Sequence, residues 1–90
     1  MRTRFLEIAQ IELDTAIEYY NYEVPNLGDS FLFELLNAIE RINKFPEAWK
    51  HFSEQTRKCP IPGFPYAIIY MVRKDEILVV AISNLHRRPE

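Results

Sequence analysis

Tyr66-Ala67-Ile68-Ile69-Tyr70-Met71-Val72-Arg73-Lys74-Asp75-Glu76-Ile77-Leu78-Val79-Val80-Ala81-Ile82-Ser83 is the stretch that decides the fold. Two runs rich in β-branched residues, Tyr66–Val72 and Ile77–Ser83, flank the polar Arg73–Glu76, which is short enough to turn a hairpin. Both runs are apolar on alternate and intervening positions alike, the pattern of central strands covered on both faces. One cover is expected from helices; the other calls for loops, a second copy or a partner chain. Upstream, Thr56–Ile61 reads as a further strand, after an irregular segment over Glu47–Glu54.

The N-terminal half supplies the helices. Ala9, Leu13, Ala16, Ile17 and Tyr20 fall on one helical face, with Gln10, Glu12, Asp14 and Glu18 around the other side. Ile8 and Ile11 lie off that stripe, so this helix is expected to be apolar on more than one side. Pro25 and Gly28 break the pattern, which predicts a connection over Val24–Gly28. Phe31, Leu35, Ala38, Ile39 and Ile42 repeat the spacing in a second helix, closed near Phe45 by Pro46, with Asn26 or Asp29 as its cap. Leu32 and Leu36 widen its apolar arc, either as core contacts or as a surface for a partner. With the short stretch Arg2–Leu6 in front, the order is β-α-α-β-β-β, an α+β layer architecture.

Ninety residues make a single domain over 1–90. Leu, Ile, Val and Phe together number 28, a share that suits a folded chain. Two glycines exclude a glycine-rich phosphate loop, and the lone Cys59 excludes a disulfide framework or a multi-cysteine zinc site. No apolar run approaches the length of a membrane span, and no leader pattern is visible, so a reducing, cytoplasmic setting is expected. Charge is uneven: residues 1–50 carry five Lys/Arg against nine Asp/Glu, residues 51–90 six against four. The second half is therefore the one suited to a polyanion, unless this is ordinary surface charge.

The reactive side chains are few. His51, Cys59 and His86 form no metal-ligand spacing, and no serine sits in a glycine-flanked elbow, so neither a metal nor a bound cofactor is expected. Arg57 and Lys58 open the first strand of the C-terminal meander, while Asn84, His86, Arg87 and Arg88 follow its last strand. Cations beside a strand end clamp phosphate and a histidine moves protons near neutrality, a combination suited to RNA cleavage through 2′-OH attack. The plainer reading pairs Arg57 with the acidic helices and leaves the tail solvated. Trp49 reads as a packing plug near the helix end, Tyr19 and Tyr20 as core and rim, Tyr70 as core, and Cys59 as an inert thiol.

Five segments occur together in order: Glu12-Leu13-Asp14-Thr15-Ala16-Ile17-Glu18-Tyr19-Tyr20, Leu27-Gly28-Asp29-Ser30-Phe31, Phe45-Pro46-Glu47-Ala48-Trp49, Phe64-Pro65-Tyr66-Ala67-Ile68-Ile69-Tyr70, and Ala81-Ile82 leading to His86-Arg87-Arg88-Pro89. Over nearly the whole chain this resembles the RelE/ParE superfamily of bacterial type II toxin–antitoxin modules, on its ParE-like side. The resemblance implies two antiparallel helices packed on a mostly antiparallel four-stranded sheet. It also implies a small cytoplasmic toxin, neutralised in a hetero-oligomer by an antitoxin segment that folds as it wraps the toxin. Apolar residues beyond what the helices cover, Ile8, Ile11, Leu32, Leu36, Ile68 and Tyr70, are the antitoxin-binding candidates.

ParE-like members poison DNA gyrase; RelE-like members cut mRNA on the ribosome. Many of the cleaving members carry an arginine in the central strand where this chain has Ala67, and the net charge of −2 suits ribosomal RNA poorly. Both favour gyrase as target. The alternatives are an mRNA endoribonuclease, with Arg57, His86 and Arg88 as catalytic candidates, and an inactive toxin-fold binding module. Target contact, on either toxin reading, falls to Arg57, Lys58, Asn84, His86, Arg87 and Arg88.

Overall fold

The computed structural model describes residues 1–86. The elements are β1 (Arg2–Phe5), α1 (Glu7–Glu23), α2 (Leu27–Lys44), β2 (Arg57–Pro60), β3 (Tyr66–Arg73) and β4 (Glu76–Asn84). The strands form one sheet in the order β1-β4-β3-β2, parallel between β1 and β4 and antiparallel elsewhere. Arg73 pairs with Glu76 around a two-residue turn in which Lys74 takes a left-handed conformation, φ 53°.

The doubly apolar run of β4 has a geometric explanation. Ile69 pairs with Ala81 but Tyr70 with Val79, so Val80 is the extra residue of a bulge. That extra residue shifts the alternation, and Ile77, Val79 and Ile82 all reach the same core despite their odd spacing. They meet Ile68, Tyr70 and Cys59 from the sheet, Ala9, Leu13 and Ala16 from α1, and Phe31, Leu35, Ala38 and Ile42 from α2. Tyr20, Phe31, Phe64 and Tyr66 close one end of this core with ring centroids 5.1–6.1 Å apart. At the other end the buried Tyr70 hydroxyl donates to the Pro46 carbonyl at 2.6 Å.

The connection between the helices is shorter than expected, Val24–Asn26, because Gly28 lies inside α2 rather than breaking it. Asn26 holds the cap position with φ 69°, but its side chain makes no capping bond, and Asp29 sits in the first turn. The cap comes from the preceding helix: Asn21 Oδ1 accepts the Gly28 N–H at 2.7 Å. A Cβ on Gly28 would stand 2.3 Å from the Ile17 carbonyl oxygen, so the helix crossing requires glycine there.

The sheet face turned away from the helices needs no second layer. Its outward positions include Ala67, Ile69 and Leu78, yet Ile69 and Leu78 are only 3 % and 4 % exposed. Ile69 is flanked across the sheet by Lys58 and Ala81, and Leu78 by Arg4 and Met71. The side chains of Lys58, Arg4 and Met71 are long enough to shield an apolar neighbour. On the outer side of β4, β1 ends opposite Val79, and beyond that point the Ile82 N–H is taken by Glu12 Oε1 from α1 at 2.9 Å.

Candidate functional site

The polar residues expected to act together are kept apart. Arg57 is half-buried on the helix side of β2, opposite Tyr70, and its Nη1 donates to the carbonyls of Glu47 (3.2 Å) and Trp49 (2.7 Å). It therefore holds the segment after α2 in place, rather than pairing with the acidic helices. Asn84 pairs with Tyr66, four residues along β3 from the Arg57 row, a separation of about 13 Å at 3.3 Å per residue. Asn84 Oδ1 accepts the His86 N–H at 2.9 Å, and the His86 side chain is exposed. Arg57, level with the middle of β3, and His86, beyond the Asn84 end of the sheet, thus stand apart and do not form the base-and-clamp pair that RNA cleavage demands. Lys58 faces the open side beside Ile69. Arg87 and Arg88 lie outside the described residues.

Cys59 is buried, and burial pushes its thiol up to about 11, the opposite of an activated thiol. Trp49 packs against the core, as does Tyr20, whereas Tyr19 is exposed. Among the described residues no group of three His, Cys, Asp or Glu is arranged to hold a metal, and no helix is long and apolar enough to cross a membrane.

Of the antitoxin-binding candidates, Ile68 and Tyr70 need correction. Both are fully buried beneath the helices, so neither offers a surface to a partner without unfolding the domain. Leu32 is half-buried against the core, while Ile8, Ile11 and Leu36 are each more than half exposed. Two tyrosines extend the exposed set. Ile8, Ile11, Thr15, Tyr19 and Tyr22 recur at i, i+3, i+7, i+11 and i+14, within about 80° of arc at 3.6 residues per turn. This solvent-facing stripe lies across the helix from the buried Ala9, Leu13 and Ala16, and Tyr22 is 86 % exposed. On α2, Phe33 and Leu36 are exposed in the same way. Such a set exceeds the singly scattered apolar residues of an ordinary surface. The off-stripe isoleucines signalled it in the sequence; reading on by helical spacing to Tyr19 and Tyr22 would have completed it.

Electrostatically the two sides of the molecule differ. Helix α1 carries Glu7, Glu12, Asp14, Glu18 and Glu23 and no Lys or Arg. The open sheet face carries Arg2, Arg4, Lys58 and Arg73 against Glu76. Arg4 grips Glu76 through both Nε (3.3 Å) and Nη2 (3.0 Å), holding that carboxyl below its usual range.

A family model described as the ParE toxin of the parDE type II toxin–antitoxin system matches residues 4–89. The chain belongs to this family of ParE toxins. The fold agrees: a solved structure of the chromosomal ParDE toxin–antitoxin system from P. aeruginosa superposes with a TM-score of 0.82, at 16 % identity, over 96 % of this chain and 97 % of that one. No curated protein matches the sequence. In this ParE-family toxin, then, the β-α-α-β-β-β order and the helices-on-sheet architecture read from the hydrophobic pattern are those of the family fold.

Proposed function

We propose that this toxin arrests growth by inhibiting DNA gyrase in the cytoplasm, and that an antitoxin helix laid along Ile8, Ile11, Tyr19 and Tyr22 neutralises it. The observation that carries the reading is the exposed apolar stripe on α1, on a domain whose sheet already covers itself. A long, shallow apolar face suits a helix partner presenting residues at matching spacing. The tethering of Arg57 to two backbone carbonyls and the presence of Ala67 in the central strand support action by protein binding rather than by RNA cleavage.

The test is to induce the chain alone in bacteria and assay plasmid topology and mRNA integrity side by side. Stalled DNA cleavage complexes with intact mRNA are expected. Ribosome-dependent cuts that disappear in His86→Ala would overturn the target in favour of the endoribonuclease reading. Unchanged growth without any partner would leave a binding module. Co-expression with the adjacently encoded antitoxin restores growth for the parent chain and fails to do so for an Ile11→Glu, Tyr22→Glu variant.

A further inference from the structure

The turn between β3 and β4 and the N-terminal strand together enclose an open groove lined by Arg2, Arg4, Arg73, Lys74, Asp75 and Glu76. It lies at the end of the sheet away from Asn84 and His86, on the face opposite the helices. Four cations meet two carboxylates there. Glu76 is engaged bidentately by Arg4 and reaches Arg2 only at 4.0 Å, while among the described residues Arg73 and Lys74 make no ion pair. The groove therefore keeps free positive charge, and the Arg4–Glu76 pair fixes one of its walls.

We propose that this groove binds the phosphate backbone of duplex DNA. Arg2, Glu76 and Arg73 form one row across three strands, which puts Arg2 and Arg73 about 10 Å apart at two inter-strand spacings. Arg4 stands two residues further along β1, about 7 Å from Arg2. A span of 10 Å takes in about three phosphates of one DNA strand at 3.4 Å of rise each. The site is an open band rather than a closed pocket, a shape that suits a linear polyanion. No strand position on this face carries an aromatic ring, so the stacking platform of single-strand binders is missing from the strands. The α1 stripe stays clear of the groove, and the proposal does not depend on which enzyme the toxin inhibits.

The experiment is fluorescence anisotropy of the full chain on a labelled duplex of about 20 base pairs, titrated between about 50 and 200 mM salt. The parent is compared with an Arg2→Gln, Arg73→Gln, Lys74→Gln triple variant. A second triple, Arg41→Gln, Lys44→Gln, Lys50→Gln, removes the same charge outside the groove, and circular dichroism establishes that all three proteins are folded. The groove variant is expected to bind at least about tenfold more weakly, with a salt slope shallower by about 2–3, one unit for each phosphate no longer neutralised. The control should stay within about threefold of the parent. Absence of binding at the lowest salt, equal losses in the two triples, or tighter binding to single-stranded DNA or RNA would each overturn the proposal.

Discussion

Replacing Gly28 by alanine tests how the helical hairpin is held. The added Cβ meets the Ile17 carbonyl oxygen at 2.3 Å and the Asn21 Cγ and Nδ2 at 2.7 and 2.9 Å. Ordinary van der Waals contact begins at 3.4 Å, so the helices must part by about 1 Å at their crossing. Overpacking of this kind costs about 1–3 kcal/mol, and stretching the Asn21–Gly28 capping bond adds about 0.5–1.5 kcal/mol. The expected loss is about 2–4 kcal/mol from a domain whose whole stability is on the order of 5–13 kcal/mol. Thermal unfolding followed by circular dichroism should show a fall in Tm of about 10–30 °C for a chain this size. A second substitution, Asn21→Ala, relieves two of the three clashes but leaves the backbone carbonyl. It should therefore rescue only part of the loss, with a coupling energy of about 0.5–1 kcal/mol. A Gly28→Ala protein within about 0.5 kcal/mol of the parent would refute the reasoning, because the crossing would then have room that the geometry denies it.

Four further outcomes are expected. Tyr70→Phe leaves the Pro46 carbonyl without its 2.6 Å donor and should cost about 1–2 kcal/mol in urea denaturation. Burial pushes the Tyr70 phenol up to about 12, so its stabilising contribution is complete below about pH 10 and fades as pH rises toward 12, which absorbance titration of tyrosinate will follow. The Cys59 thiol, pushed up to about 11, should resist thiol reagents at neutral pH until the domain unfolds, and its contribution is lost as pH rises from about 9 toward 11. Glu76 lies below its usual range, so its pairing with Arg4 contributes above the unfolded carboxylate value and disappears as pH falls through the folded one. Relative to Glu76→Gln, the parent should lose stability on acidification, and equal acid profiles would reject the pairing.

The hairpin, both helices and the element order were legible because each rests on a period of apolar residues. What the sequence left open followed from interactions between segments. Ile68 and Tyr70 were candidates for a surface because a run apolar at every position carries no sign of which side faces the helices. In β3 the helices pack on the Ile68 and Tyr70 side, and in β4 the bulge at Val80 resets the alternation, which nothing local announces. Gly28 read as a break because glycine serves loops and close helix crossings alike, and the Asn21 cap comes from a different helix. Arg57 suggested a phosphate clamp by residue type, but a guanidinium satisfies carbonyl oxygens equally well, and two lay within reach. The groove of Arg2, Arg4, Arg73 and Lys74 was invisible because its two halves are far apart in sequence, Arg4 and Glu76 being separated by 72 positions.

The carboxylate that Glu12 sets against the Ile82 amide carries a consequence for self-association. A strand margin left with vacant amides invites a stranger's backbone to zip on, the first step toward fibrils. Here any newcomer extending past the tip of the N-terminal strand must first evict an anion that is already seated. Glutamine at position 12 would keep the acceptor and the blockade; alanine would unlock that margin and raise the propensity to aggregate.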